Sequence, residues 1–445
     1  MNSAIFRARR ERVLDAMAAR GGGVAIQPTA PERLRNRDSE YPFRFDSHFY
    51  YLSGFTEPES VIALVARGSE RRTVLFCRDR NAEREIWDGY RYGPETAREA
   101  FGFDAAFTID KLDEEMPKLM ADSTALFYPL GADAVVDAQV QRWLATVRAG
   151  ARSGLRAPAM AVDLHTIVDE MRLVKDDAEI ATMRCAAEIS ADAHVRAMRA
   201  CRPGLREYHL EAELLHEFRT RGAQGPAYNP IVAAGVNACV LHYRAGDTEL
   251  RAGDLCLIDA GCEVDGYAAD VTRTFPVGGR FSATQRDIYE LVLAAQHAAF
   301  AQVRPGNTFN APHDAAVRVL AQGLLDLGLV QGSLDAVIEA GTYRQFYMHR
   351  TGHWLGLDVH DVGDYRAPNG GAATDGERAW RPLQAGMVVT VEPGLYVRAA
   401  ENVPAAFHGI GVRIEDDVLV TATGHAVLSA AAPTRAADVE ALVQG

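Results

Sequence analysis

The sequence lacks the features that mark several large protein classes. Its 445 residues include six cysteines and no Cys-x-x-Cys pair, so buried free thiols of a cytoplasmic protein are expected rather than a disulfide framework. No run of about 18 uncharged apolar residues predicts a membrane span, and the charged N-terminal stretch has no apolar core of a secretory signal. The sequence thus predicts a cytoplasmic protein without a membrane partner.

Basic residues are also too few for a general nucleic-acid binder. Lysine and arginine number 47 against 60 aspartates and glutamates, which gives a formal net charge of −13, whereas nucleic-acid binding needs a basic surface. The Gly-x-Ser-x-Gly motif of serine hydrolases and the His-Glu-x-x-His motif of helical zinc sites are absent. The length of 445 residues predicts two or three domains.

The pattern of apolar residues changes near residue 172. Before it, short apolar runs such as residues 61–66 predict strands among helices, and a first domain is expected over 1–171. Residues 155–163 have the proline and small side chains of a linker. After Asp176, apolar residues recur at helical spacing, so a second domain is predicted over 172–445.

This second domain contains an internal repeat. A helix, an Arg-Pro-Gly turn and another helix are predicted around residues 202–204 and again around residues 304–306. The stretches AGDLCLIDAG and AGMVVTVEPG each place a carboxylate seven residues after their first alanine, and these carboxylates are Asp259 and Glu392. A duplicated α-α-β unit folded about a pseudo-two-fold axis would bring both strand ends to one site.

Four acidic residues end or interrupt apolar, β-branched runs in the same domain: Asp259, Asp270, Glu392 and Glu415. Each has an ordinary alternative, such as a turn cap or a solvated strand end. Their joint occurrence around a repeat favours a shared site. If they converge, four carboxylates would offset two divalent cations and leave room for a bridging hydroxide, and oxygen-rich ligands favour Mn²⁺, Co²⁺ or Fe²⁺. Such a site would hydrolyse an amide or a related bond.

Three histidines lie within the stretch MHRTGHWLGLDVHD. Its glycines oppose a helix, so we expect a loop that leads into a strand over residues 354–360. A single histidine is commonly structural, but three within twelve residues indicate a metal or proton-transfer site.

At these residues the chain resembles the pita-bread metallopeptidases, and within them the aminopeptidase P (Xaa-Pro aminopeptidase) branch. The matching stretches follow in order: LIDAGCEVDGYAADVTRTFP, YMHRTGHWLGLDVHDVG, VVTVEPGLY and GIGVRIEDDVLVT. The resemblance implies an α/β (α+β) fold, with a creatinase/prolidase-like α/β domain for oligomerisation and substrate access before a pita-bread catalytic domain. It also implies a homotetramer or homodimer.

The resemblance further implies roles for individual residues. Two divalent metal ions, with Mn²⁺ favoured, would be held by five side chains: Asp259, Asp270, His353, Glu392 and Glu415. The implied catalytic residues are Glu392 as proton shuttle, His360 and His349. The implied substrate-binding residues are His242, His349, His360, Tyr396, Arg413 and Trp87. Among the last set, Arg413 and Tyr396 would support the ligands, and Trp87 would come from the N-terminal domain.

The implied reaction releases the residue before a penultimate proline from peptides, through attack of a hydroxide that bridges the two metals. A prolidase that cleaves only Xaa-Pro dipeptides is the nearest alternative, and a non-catalytic binding module on the same fold is a weaker one. Residues 364–383 depart from the family pattern. Three arginines there are candidates for a substrate contact: Arg366, Arg378 and Arg381. Arg350 and Thr351 occupy a variable part of the histidine motif.

Overall fold

The structure, a computed structural model, describes residues 2–244, 246–367 and 378–445. It consists of two compact units, Met1–Arg172 and Leu173–Gly445. Both mix helices and strands, which confirms the predicted fold class. Across the described residues, no helix combines the length and apolar character that crossing a membrane would require.

The N-terminal unit is built on one six-stranded sheet with the order β6-β5-β4-β1-β7-β8. The strands of this unit are β1 (Gly23–Pro28), β2 (Leu34–Asn36), β3 (Ser39–Glu40), β4 (Val61–Arg67), β5 (Glu70–Cys77), β6 (Ala105–Thr108), β7 (Ala125–Phe127) and β8 (Met160–Val162). β2 and β3 form a separate two-stranded sheet. The helices are α1 (Ser3–Ala19), α2 (Ser47–Ser53), α3 (Ala82–Asp88), α4 (Gly93–Phe101), α5 (Leu112–Met120), α6 (Ala134–Ala149) and α7 (His165–Leu173). Apolar side chains of the sheet, α5 and α6 form one buried cluster.

The predicted linker at residues 155–163 is wrong. Part of it forms β8, which pairs in parallel with β7 at the edge of the sheet, with Met160 opposite Ala125. The Met160 side chain is half exposed, as expected for an edge strand. The amino-acid composition did not predict this strand because backbone pairing to β7 stabilises it, and composition does not indicate which backbones pair.

The C-terminal unit follows with two pairs of long helices and several small sheets. Its helices are α8 (Asp177–Ala200), α9 (Glu207–Thr220), α10 (Ala283–Phe300), α11 (Ala311–Asp326), α12 (Leu334–Ala340) and α13 (Ala436–Gln444). Its strands are β9 (Gly225–Pro226), β10 (Ile231–Ala234), β11 (Leu255–Asp259), β12 (Cys262–Val264), β13 (Tyr267–Ala268), β14 (Thr272–Pro276), β15 (Val388–Val391), β16 (Gly394–Val397), β17 (Ile410–Arg413), β18 (Asp416–Val420) and β19 (His425–Val427). Capping boxes begin α8 at Asp176 and α10 at Ser282, because their side chains accept from otherwise unpaired backbone amides.

The predicted internal repeat is confirmed. The helices α8 and α9 precede the antiparallel pair β11–β14, and α10 and α11 precede the antiparallel pair β15–β18. The two halves meet through the backbones of Thr272 and Glu415, where each amide donates to the carbonyl of the other at 3.4 and 3.1 Å. The repeat therefore places side by side the end of one strand pair where Asp259 meets Thr272 and the end of the other where Val391 meets Asp416.

Between Asp259 and Asp270, β12 and β13 form a hairpin, and β12 also pairs with β9. One local expectation needs correction. Residues 354–360 do not form a strand, and only an isolated bridge joins Trp354 to Val389. The apolar character of that stretch reflects burial against β15 rather than continuous pairing.

Gly261 permits the close approach that aligns the two aspartates. A Cβ atom at this position would lie 1.7 Å from the carbonyl oxygen of Ala269. Around it the backbones are paired, since the amide of Ala260 donates to Val271 and the amide of Ala269 donates to Cys262, both at 3.0 Å. No side chain fits between these two segments.

We predict that Gly261→Ala lowers the free energy of unfolding by about 1–3 kcal/mol or more, because the backbone must move to accept the methyl group. Urea unfolding followed by circular dichroism measures the change. Gly424→Ala is the matched control, since a Cβ there meets no atom within 4 Å. Equal stability of the two variants would contradict the close-approach argument.

Candidate metal centre

A cavity of about 610 Å³ opens in the C-terminal unit. All five predicted metal ligands line it: Asp259, Asp270, His353, Glu392 and Glu415. Four more predicted site residues also line it: His242, His349, His360 and Arg413. The structure thus brings residues from across the C-terminal unit into one place.

The hairpin geometry explains why the carboxylates meet. Asp259 ends β11 and pairs in register with Thr272, which follows Asp270 by two residues. In the other half, Val391 at the end of β15 pairs with Asp416, so Glu392 and Glu415 flank this pair. Each antiparallel strand pair therefore has one acid at or beside each of its two strands, at the end where the two halves of the unit meet.

The predicted ligand atoms lie at distances that could suit a shared cation. One oxygen each of Asp270 and Glu415 and one ring nitrogen of His353 all lie within 4.8 Å of one another. The Nε2 of His353 lies 3.4 Å from Asp270 Oδ2 and 3.7 Å from Glu392 Oε1. Its Nδ1 donates to the carbonyl oxygen of Trp354 at 2.9 Å, so Nε2 is the nitrogen that faces the carboxylates, as in metal-binding histidines.

The charges of the cluster also point to cations. Burial, together with the neighbouring acids, raises the pKa of Glu392 to about 7 and that of Glu415 well above its usual value. Burial lowers the pKa of His353, but Asp270 and Glu392 outweigh it and raise the pKa to about 9. The cluster therefore holds protons that divalent cations would displace. A donor set of carboxylate oxygens and one imidazole fits such ions.

Arg413 is the buried cation nearest to these acids. Its Nη2 donates to Asp259 Oδ2 at 2.5 Å and its Nη1 donates to the Tyr396 hydroxyl at 3.0 Å. That hydroxyl donates to Nε2 of His349 at 2.8 Å, because Nδ1 of the same ring donates to the carbonyl oxygen of Arg350 at 2.7 Å. Burial lowers the pKa of His349 to about 3, so the ring is neutral. Arg413, Tyr396 and His349 thus form one hydrogen-bonded chain.

Tyr228 is a site residue that the sequence analysis missed. Its hydroxyl lies 2.6 Å from Oδ1 of Asp259 and 2.6 Å from Oδ1 of Asp270. Burial beside these acids raises the pKa of Tyr228 well above its usual value. Tyr228 precedes β10, whose Ile231 pairs with Asp259. This strand register was the one signal that could have indicated that Tyr228 lies beside Asp259.

Glu207 positions the loop that carries His242. One of its oxygens accepts from the amide of Ala234 at 2.9 Å, and the other accepts from the Tyr243 hydroxyl at 2.8 Å and the amide of Gly246 at 3.1 Å. The carboxylate is completely buried. In the sequence it looks like an ordinary acid in the first turn of a helix, so no local pattern reveals its role.

A buried ion pair holds the segment that carries His360. The Nζ of Lys175 lies 3.0 Å from Asp361 Oδ2, and both side chains are 1% exposed. The amide of Asp361 donates to the carbonyl oxygen of Trp354 at 2.9 Å. A Cβ on Gly356 would lie 2.2 Å from the Asp361 carboxylate, which explains the glycine. The rings of His353 and His360 consequently lie with their centres 4.1 Å apart.

The remaining predicted residues lie in different places. Trp87 lies on α3 of the N-terminal unit, and its side chain is 80% exposed. Of the three candidate arginines, Arg366 lines the cavity, Arg381 is buried and Arg378 pairs with Asp364 at 3.8 Å. The middle of the divergent loop, residues 368–377, lies outside the described residues.

Two family models match this chain. The model of metallopeptidase family M24 matches residues 181–422, which is more than half of the chain. The model of the aminopeptidase P, N-terminal domain, matches residues 6–128.

Relatives match over nearly the full length. Xaa-Pro aminopeptidase of Escherichia coli is 43% identical over 439 residues, which cover 98% of this chain and 97% of that protein. The structure of Pseudomonas aeruginosa aminopeptidase PepP is similar with a TM-score of 0.95 and 48% identity, over 100% of this chain and 98% of that chain. Zinc-substituted E. coli aminopeptidase P in complex with product is similar with a TM-score of 0.94 and 42% identity, over the same shares of the two chains.

We predict that Lys175→Met lowers the free energy of unfolding by about 3–5 kcal/mol, because the buried carboxylate of Asp361 loses its cation. Hydrogen exchange at residues 353–361 should become faster, since the pair anchors this segment. Urea unfolding and exchange measured by mass spectrometry test both effects. Arg318→Met removes an exposed pair with Asp335 at 3.8 Å and should change stability by less than about 0.5 kcal/mol. Unchanged exchange in Lys175→Met would refute the anchoring role.

Proposed function

Because the chain belongs to metallopeptidase family M24, we propose that it is a Xaa-Pro aminopeptidase, which releases the N-terminal residue from peptides whose second residue is proline. The observation that supports the proposal is that the five side chains predicted as metal ligands line one cavity, where the ends of the two strand pairs meet. The similarity to E. coli Xaa-Pro aminopeptidase over 98% of the chain supports the same reaction. The physiological substrates would be peptides.

We further propose two divalent cations, preferably Mn²⁺, with Asp259, Asp270, His353, Glu392 and Glu415 as ligands. The donor set supports this, because four carboxylates and one imidazole favour ions such as Mn²⁺. Bound at this place, the cations would acidify water and polarise the scissile carbonyl. Tyr228 and Arg413 hold Asp259 in place through hydrogen bonds at 2.6 and 2.5 Å.

Glu392 is the proposed proton shuttle. Burial raises its pKa to about 7, so it can take a proton from the attacking water and give it to the leaving prolyl nitrogen near neutral pH. Thr390 donates to its Oε1 at 3.4 Å, which orients the carboxyl group.

Two histidines complete the proposed catalytic set. Burial lowers the pKa of His360 below its usual value, so at neutral pH it is an uncharged donor for the developing oxyanion. Both nitrogens of His349 have partners within the protein, and its proposed contribution is therefore to shape the cavity and orient Tyr396. His242, at the cavity wall, is a proposed contact for the peptide.

The proline ring must be recognised by shape, because the prolyl nitrogen of the scissile bond has no hydrogen to donate. Aromatic side chains offer such a surface. Phe309, Tyr365 and Trp380 line the cavity, and the ring centre of Phe309 lies 4.6 Å from that of Tyr365 and 6.3 Å from that of Trp380. We propose that this apolar wall accepts the proline.

The assembly and location are also proposals. We propose a homotetramer or homodimer in which the exposed Trp87 contributes to a neighbouring subunit's site, since aromatic side chains are enriched at interfaces. We propose the cytoplasm as its location, because all six cysteines are free thiols and cytoplasmic proteins keep thiols reduced.

Substitution of a proposed ligand tests the metal centre. Asp270→Ala and Glu415→Ala should abolish peptide cleavage and reduce bound metal, as measured by elemental analysis of the purified protein. Glu339→Ala, at an exposed position on α12, should match the unchanged protein in both measurements. An active variant without metal would exclude the proposed centre.

A tripeptide tests the reaction itself. Release of the first residue from an Xaa-Pro-Xaa peptide, lost on chelation and restored by Mn²⁺, is the expected result. The prolidase alternative predicts cleavage of Xaa-Pro dipeptides with the tripeptide left intact. A binding module on this fold would hydrolyse neither peptide with any divalent metal.

A further inference from the structure

Arg350, a basic residue in the histidine motif, has no role in the proposed reaction. Arg350 lies directly after His349, and its side chain lines the same cavity as the metal ligands. Its guanidinium stands 4.8 Å from the ring centre of Trp380 and donates to the side-chain oxygen of Asn310. Stacking on an aromatic face and a hydrogen bond restrict a long side chain, so the cation has a defined place on the cavity wall.

Arg350 differs from the other arginines around the cavity in its partners. Arg413 forms an ion pair with Asp259, and Arg378 forms one with Asp364. Arg366 lies 3.5 Å from the centre of the Trp380 ring and donates to the carbonyl oxygen of Arg378. Within the described parts of the chain, no carboxylate forms an ion pair with Arg350, and the residue is exposed where it lines the cavity. An accessible guanidinium without an ion-pair partner is suited to bind an anion.

The cavity therefore has opposite charges in two places. The carboxylate cluster suits the α-ammonium group and the metal ions, whereas Arg350 suits an anion. The aromatic side chains of Phe309, Tyr365 and Trp380 line the same cavity. A short peptide in its zwitterionic form has the matching pattern, with an ammonium group at one end, the proline ring next to it and a carboxylate at the other end. An extended tripeptide spans only about 10 Å, and the volume of about 610 Å³ is in the usual range for small-ligand sites.

We propose that Arg350 binds the C-terminal carboxylate of short peptide substrates and thereby determines a preference for peptides that end soon after the proline. The inference rests on the proposed function, because that function places the peptide's amino group at the metal ligands. Trp380 is the positioning residue, since it holds the guanidinium through the ring. Arg366 acts on the same ring and supports it indirectly.

The test compares a tripeptide Xaa-Pro-Xaa that has a free carboxylate with the same tripeptide as its C-terminal amide. The Mn²⁺-loaded protein should cleave the acid with a kcat/KM roughly tenfold higher than the amide, mainly through KM. Arg350→Gln should lose this preference and cleave the amide within about twofold of the unchanged rate. Arg350→Lys should retain part of the preference because it retains the charge. Arg318→Gln, which removes an exposed arginine outside the cavity lining, should behave like the unchanged protein.

Equal cleavage of acid and amide by the unchanged protein would overturn the inference, as would a full preference in Arg350→Gln. A purely structural role predicts a fall in kcat for both peptides together with lower metal content, and that result would also overturn it. Calorimetric binding of the dipeptide Pro-Leu and its amide separates this inference from the proposed reaction, because binding needs no turnover. A preference for the acid that depends on Arg350 supports the inference even if no peptide is hydrolysed. Equal binding of acid and amide refutes it in either case.

Discussion

Four carboxylates in one buried cluster are the constraint on which the rest of the C-terminal unit depends. Like charges at this distance raise the free energy of the folded chain unless cations offset them. Arg413 offsets part of the charge through its contact with Asp259, and the raised pKa of Glu392 and of Glu415 shows that it is not sufficient. Metal binding and stability of this unit are consequently linked, because ions that bind only the folded cluster stabilise it.

Both halves of the repeat position their acids through the same kind of contact. In each half, a polar side chain on the first helix contacts the backbone at the end of that half's ligand-bearing strand. His194 on α8 contacts the carbonyl oxygen of Ala260 at 2.9 Å, and Gln296 on α10 donates to the carbonyl oxygen of Val391 at 3.3 Å. Both lie eight residues before the arginine of an Arg-Pro-Gly turn. The helix pairs thus fix the strand ends from which Asp259 and Glu392 project.

The sequence predicted those site residues that belong to a repeated or local pattern. Asp259 and Glu392 were found because the same ten-residue pattern occurs twice. Tyr228, Glu207 and Lys175 were missed because their partners are distant in the chain: Lys175 meets Asp361 across 186 residues. Residues 354–360 were wrongly predicted as a strand, since an apolar run indicates burial but does not state whether the backbone pairs.

The carboxylates and the histidine segment are held by different means. Asp259 ends a paired strand and the other three carboxylates lie within two residues of one, whereas His349, Arg350 and His360 lie on an irregular segment fixed mainly through its backbone. The amide of Thr390 donates to the carbonyl oxygen of His353 at 3.0 Å, and the amide of Glu392 donates to that of Thr351 at 2.8 Å. Since these bonds do not involve the side chain of Arg350, a change there can alter substrate selection while the hairpin ends remain in place. The same backbone bonds tie Glu392 to the histidine segment, so they fix the position of the proposed proton shuttle relative to the segment that carries the proposed oxyanion donor, His360.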